Sequence, residues 1–103
     1  MVDAAYRAVA DPTRRAILDR LRAGGAPVHE IAAAFDMSRP AVSKHLRVLR
    51  EARLIGERRA GRERIYHLTP APLEAVHQWV GTYRAFWAAS LTRLKQHIEG
   101  EGS

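Results

Sequence analysis

Apolar residues recur at helical spacing along most of this chain, and a strand-like pattern replaces that spacing only between residues 55 and 68. The clearest helical block is Ser38 to Leu54, SRPAVSKHLRVLREARL, in which Val42, Leu46 and Leu49 fall at i, i+4 and i+7. The opposite side of that wheel carries Arg39, Pro40, Ser43, Lys44, Arg47, Arg50 and Glu51. One side suits a protein core and the other suits a polyanion. Ser38 stands where an N-cap side chain would accept a backbone N–H, and Pro40 in the first turn lacks only an amide that no intrahelical bond uses. The pattern predicts a recognition helix over residues 38–53.

Three helices are predicted before it. Residues 3–10, DAAYRAVA, form the first, with Ala4, Tyr6, Val9 and Ala10 inward. The second runs from Pro12 to about Ala23, with Asp11 as N-cap, Ala16, Ile17 and Leu21 as its stripe, and Leu18 beside them. Gly24-Gly25 ends it in a left-handed cap. The third, VHEIAAAF over 28–35, turns Ile31, Ala32 and Phe35 inward and lacks a good N-cap. Asp36-Met37-Ser38 then makes a three-residue turn, and two short helices with a tight turn and a basic second helix form a helix-turn-helix.

That strand-like stretch predicts a β-hairpin: Ile55 to Ala60 and Arg64 to Leu68 flank a Gly61-Arg62-Glu63 turn. Arg58, Arg59, Arg62 and Arg64 gather at its tip. A basic hairpin after a recognition helix is a wing that reaches backbone phosphates or a minor groove.

Thr69 caps the last predicted helix, 70–99, which has Pro70 and Pro72 in its first turn and is roughly 45 Å long. Leu73, Val76, Val80, Tyr83, Trp87, Leu91, Leu94 and Ile98 make a near-heptad seam, widened by Trp79 and Phe86. One small core cannot cover so long a face. Val76, Val80, Tyr83, Trp87, Leu91 and Leu94, with Tyr6 from the first helix, are therefore expected at a dimer interface. Gly81 interrupts the seam as a point of close approach or a bend, and residues 100–103 are expected to fray. The fold class is mainly α with a small β-hairpin wing, in the order α-α-α-α-β-β-α, as a single winged helix-turn-helix domain over 1–103.

Charge sharpens this picture. Residues 39–64 hold nine of the 17 Lys and Arg and three of the 11 acids, so the entire net charge of +6 lies in one quarter of the chain. A solvated face is the ordinary meaning of a basic run, but here the run coincides with the helix-turn-helix, which points to duplex DNA. The chain has no cysteine, so disulfides, thiol chemistry and cysteine-bound zinc are excluded. There is no apolar run of about 18 residues and no signal-peptide core at the start, which fits the cytoplasm.

Other chemistry finds little support. Ser43 and His45 are two apart on a helix and face different ways, and no glycine-rich phosphate loop or carboxylate pair is present, so no enzyme is expected. His45 lies at the border of the buried face, where a phosphate contact and a packed histidine are both open. Arg14, Arg15 and Arg20 read as surface residues, with Arg14 or Arg15 also within reach of a phosphate. His29, in a first helical turn, has the same option. His77 and His97 are twenty residues apart, roughly 30 Å along one helix. Only an antiparallel pairing would bring Glu74 and His77 near His97 of the partner subunit, so no metal and no cofactor is expected.

ADPTRRAILDRL (10–21), HEIAAAFDMSRPAVSKHLRVLREARLI (29–55) and GRERIYHLTP (61–70) resemble the ArsR/SmtB family of winged helix-turn-helix repressors. The resemblance spans about residues 3–99, and the pairing of DPTRR with SKHLRVLREA makes it specific. It implies a homodimer that binds an operator and leaves DNA when an effector binds. It places Ser38, Arg39, Ser43, Lys44, His45 and Arg47 on the DNA-reading helix, with Pro40 in its first turn, and Arg62 and Arg64 on the wing. The metal sensors' cysteine motif is missing, since that helix reads HEIAAAF here. Their carboxylate-histidine motif in the last helix is missing too, since residues 85–90 read AFWAAS. The effector is unassigned. The expected function is a sequence-specific DNA-binding regulator, a homodimeric repressor on a palindromic operator. The alternative is a dimeric protein- or small-ligand-binding module with secondary DNA binding.

Overall fold

The computed structural model describes residues 2 to 101. The order is α1 (Val2–Ala10), α2 (Pro12–Arg22), α3 (Val28–Phe35), α4 (Arg39–Glu51), β1 (Ile55–Ala60), β2 (Glu63–Leu68) and α5 (Leu73–Glu101). This is the α-α-α-α-β-β-α arrangement of a winged helix-turn-helix. Ile17, Ile31, Val42, Leu49 and Leu54 are its largest fully buried side chains, and they come from α2, α3, α4 and the entry to β1. Truncating one of these to alanine costs about 2–5 kcal/mol, because the surroundings close the void only in part.

The helix boundaries follow local chemistry. Asp11 accepts the Arg14 N–H at 2.9 Å and Pro12 opens α2. The predicted left-handed glycine cap is corrected: the C-cap is Ala23 in a right-handed conformation, and Gly24 follows with φ +149°. Gly25 is needed for a different reason. A Cβ there would stand 2.9 Å from Ile65 Cγ2 and 3.1 Å from the Tyr66 carbonyl oxygen. α3 ends with Asp36 at φ 51°, and the Met37 N–H reaches back to Ala32 O at 3.0 Å, which turns the chain into Ser38. α4 ends in the same way two residues before the predicted limit, with Arg53 at φ 61° and the Leu54 N–H on Leu49 O at 3.0 Å.

In α1 the core positions are Ala5 and Ala8, both at 0% exposure. Ala4, Tyr6 and Val9 are only partly buried, and Ala10 is exposed rather than inward. Two alanines three apart let the helix approach closely, so its larger side chains flank the contact.

β1 and β2 pair antiparallel from Ile55↔Leu68 to Ala60↔Glu63. The turn is therefore Gly61-Arg62 alone, with Gly61 at φ +65°, and Glu63 belongs to the strand. Thr69 is not the cap of the last helix. Its N–H goes to Leu54 O at 2.8 Å, extending the hairpin's pairing, and a Pro70-Ala71 turn delays α5 to Leu73. The helix then continues without a break through Gly81, where an added Cβ would meet nothing within 4 Å, and through Gly100, which was expected to fray. Residues 102 and 103 of the expected tail lie outside the described residues.

Candidate nucleic-acid interface

α4, the second helix of the helix-turn-helix, is positioned from both ends and along one edge. Ser38 Oγ accepts the Ala41 N–H at 3.3 Å, and Pro40 lies in the first turn. Val42, Leu46 and Leu49 anchor the inner edge at 0–2% exposure. Ser38, Arg39, Pro40, Ser43, Lys44 and Arg47 are all exposed on the remaining surface. At the C-terminal end Arg50 Nη1 pairs with Glu57 Oε1 of β1 at 3.0 Å, which ties the helix to the wing.

The wing brings arginines toward that surface. Arg64 and Tyr66 line a small cleft with Ser43, Leu46, Arg47 and Arg50. On the other side of the same two residues, a broader open cleft of about 600 Å³ is lined by Arg39, Arg62, Arg64, His29 and Glu63 among others. Arg39 and Arg62 therefore share one concavity, and Arg47 and Arg64 share the other. Guanidinium groups around two open clefts suit a phosphate or a guanine edge, either of which they can meet through two parallel hydrogen bonds.

The remaining expected site residues are placed less simply. His45 is turned away from the exposed edge, with its Nδ1 3.9 Å from Asp11 Oδ2 and its side chain 23% exposed. His29 Nδ1 lies 3.8 Å from Glu63 Oε1 on the wing. Arg14 and Arg15 hold protein rather than lying free. Arg14 Nε donates to Ala8 O and its Nη2 to Arg7 O, both at 2.9 Å. Arg15 Nη1 donates to Val9 O at 2.8 Å and Ala10 O at 3.1 Å. Both side chains satisfy the last carbonyls of α1, where a cation is favoured by the helix dipole. The sequence signal for this pairing was present as two basic residues just past a helix end, but the corner angle between α1 and α2 was not readable.

Asp11 is the hub of this corner. Its carboxyl is held below the usual 3.8 chiefly by the hydrogen bond from the Arg14 N–H, against some desolvation, and further by the charges of Arg14 and His45.

α5 carries the seam predicted for it. Val80, Tyr83, Trp87, Leu91 and Leu94 are exposed, as are Trp79, Phe86 and Ile98, whereas Val76 is partly buried near α1. Tyr6 joins the base of this face: its hydroxyl donates to Ala75 O at 3.4 Å, and its ring meets Trp79 edge-on at 5.7 Å. Among the described residues no three His, Asp or Glu side chains gather where they could hold a metal ion, and no helix is long and apolar enough to cross a membrane.

Residues 9–58 match the helix-turn-helix domain family. The HTH-type transcriptional regulator Rv2034 of Mycobacterium tuberculosis is 46% identical over 100 residues, covering 97% of this chain and 91% of its own length. The crystal structure of the ArsR family transcriptional regulator RHA00566 superposes with a TM-score of 0.71 at 37% identity, over 84% of this chain and 94% of that one. The chain belongs to the ArsR/SmtB family of transcriptional regulators. This ArsR/SmtB-family regulator is also similar to the homodimeric winged helix-turn-helix DNA-binding domain of Mb0332 from Mycobacterium bovis. That match has a TM-score of 0.67 and 31% identity, over 82% of this chain and 81% of the other. In the regulator described here, α4 is the second helix of the helix-turn-helix and the β1–β2 hairpin is the wing.

Proposed function

We propose that this regulator acts as a homodimeric repressor that binds a palindromic operator in duplex DNA, in the cytoplasm and without a cofactor. The observation that carries the proposal is the division of α4 into a buried edge and an exposed basic edge, set beside an arginine-lined wing. Arg39 and Arg47 suit guanine O6 and N7, and Lys44 and Ser43 suit a base edge or a phosphate. Ser38 and Pro40 set the start of the helix against the groove. Arg62 and Arg64 serve the backbone, where they supply affinity more than sequence preference.

Dimerisation is supported by the apolar face of α5, where Trp87 and Phe86 are 62% and 64% exposed in the single chain. Patches of this size and aromatic content mark association surfaces. Val76, Val80, Tyr83, Trp87, Leu91 and Leu94 form its centre, with Tyr6 at the margin. Joined there, two copies present their α4 helices to major grooves roughly 34 Å apart. An effector then acts by favouring a dimer geometry with the wrong spacing. This is a binding protein and not an enzyme.

A gel shift with random competitor DNA, repeated across salt concentrations, tests the proposal. If each protomer neutralises about four phosphates, the log–log slope is roughly −7 and sequence preference survives competitor. Loss of all preference at moderate salt, with a protein or small ligand still bound, would instead make it an interaction module.

A further inference from the structure

We infer that His45 is a positioning residue of the DNA-reading helix, tied through Asp11 to the corner between α1 and α2, and not a phosphate contact. The inference rests on the reading of α4 as the helix that enters DNA. His45 differs from its neighbours on α4 in where it points. Arg39, Ser43, Lys44 and Arg47 are exposed, whereas His45 is partly buried with Nδ1 3.9 Å from Asp11 Oδ2. Asp11 cannot easily move away. Its Oδ2 caps α2 through the Arg14 N–H at 2.9 Å, and Arg14 in turn grips Ala8 O and Arg7 O at the end of α1. One carboxylate thus joins three helices: it caps α2, its neighbour holds α1, and it faces α4.

Asp11 is the acid that stands within reach of His45. From α3, Glu30 is paired with Arg20 and His29 with Glu63 of β2. From β1, Glu57 is paired with Arg50. α1, which also packs on α4, carries Asp3 and Arg7, both exposed, and Lys44 on α4 itself is exposed. Behind Asp11 stands Arg14, which keeps the carboxyl ionised.

At 3.9 Å the contact is an ion pair in reach, too long for a hydrogen bond. A neutral imidazole gains little from it, and a protonated one gains a charge partner. A helix held more firmly at the right angle loses less freedom when it enters the groove.

The experiment measures operator affinity of the full chain at fixed salt between about pH 8 and pH 6. Wild type is compared with Asp11→Asn, His45→Gln and the double variant. Asparagine is among the best N-caps, so Asp11→Asn keeps α2 capped. Wild-type affinity is expected to rise roughly twofold to tenfold on acidification, below the ceiling set by one weak ion pair in each of two protomers. The same rise should be lost in all three variants, with no further loss in the double. Loss of the rise in His45→Gln but not in Asp11→Asn would place His45 on a phosphate and overturn the inference, as would a wild-type affinity that stays flat with pH. Arg47→Ala separates the two levels. If it leaves operator affinity unchanged, α4 is not the reading helix. If it weakens affinity while Asp11→Asn keeps the wild-type pH profile, only the role of His45 fails.

Discussion

Ala26 and Tyr66 exchange both of their backbone hydrogen bonds, at 3.0 and 2.9 Å. This bridge makes the α2–α3 link a third, one-residue strand and fixes the wing to the body of the domain. Gly25 permits it, because any Cβ there meets Ile65 and the Tyr66 carbonyl. Gly25→Ala should therefore destabilise the fold by about 1–3 kcal/mol, as overpacking does. Denaturant unfolding checks the value, and amide exchange should show the loss concentrated at Ala26 and Tyr66. Unchanged stability would mean that the wing is held by other contacts.

Arg47 and Arg62 occupy different clefts and should fail differently. Arg47→Ala should weaken operator binding by about 1–3 kcal/mol while leaving random DNA less affected. Arg62→Ala should weaken both more evenly and make the salt slope shallower by about 1. Titrations of both variants on operator and random duplex decide it. Equal losses on both DNAs for Arg47→Ala would make Arg47 a phosphate contact.

The α5 face offers the sharpest test of association. Trp87→Glu places a charge where an aromatic ring is 62% exposed in the single chain. It touches none of the α2–α4 core, so helix-turn-helix folding should persist by circular dichroism. Sedimentation at micromolar concentration should show a monomer, and operator affinity should fall at least about tenfold, since one half-site is lost. A variant that remains dimeric would move the interface elsewhere.

Acid should act partly through Asp11. Its carboxyl is lowered in the fold, chiefly by the Arg14 N–H. A lowered carboxyl stabilises the fold above its unfolded value, and that contribution is lost as pH falls through the folded value. Between about pH 5 and pH 2, wild type should lose stability faster than Asp11→Asn. Parallel unfolding midpoints in the two proteins would contradict this role.

The recognition helix was legible because its signals are local. Ser38 and Pro40 marked its start, and Val42, Leu46 and Leu49 marked its inner edge without reference to the rest of the chain. The wing's arginines were legible by the same route, and the Gly61 turn between two strand-like runs located the hairpin. Its turn was one residue too long in the reading, because Glu63 pairs through its backbone and carries no apolar signal. Thr69 looked like a cap because Pro70 and Pro72 follow it, but the competing acceptor, Leu54 O, lies fifteen residues back and is brought there only by the hairpin. The Ala26–Tyr66 bridge and the grip of Arg14 and Arg15 on α1 share that character. Each depends on how two elements cross, and no pattern in one segment encodes that angle. His45 fell at the border of the helical wheel, so only the position of Asp11 decided its direction.

The central claim is that one basic helix is presented twice, at a fixed spacing, by a paired scaffold. A hydroxyl-radical footprint of the full chain on its bound DNA tests it most directly. The account predicts two-fold symmetric protection over about 20 base pairs, with the protected centres one helical turn apart. Uniform protection along the duplex, or a single unpaired half-site, would contradict it.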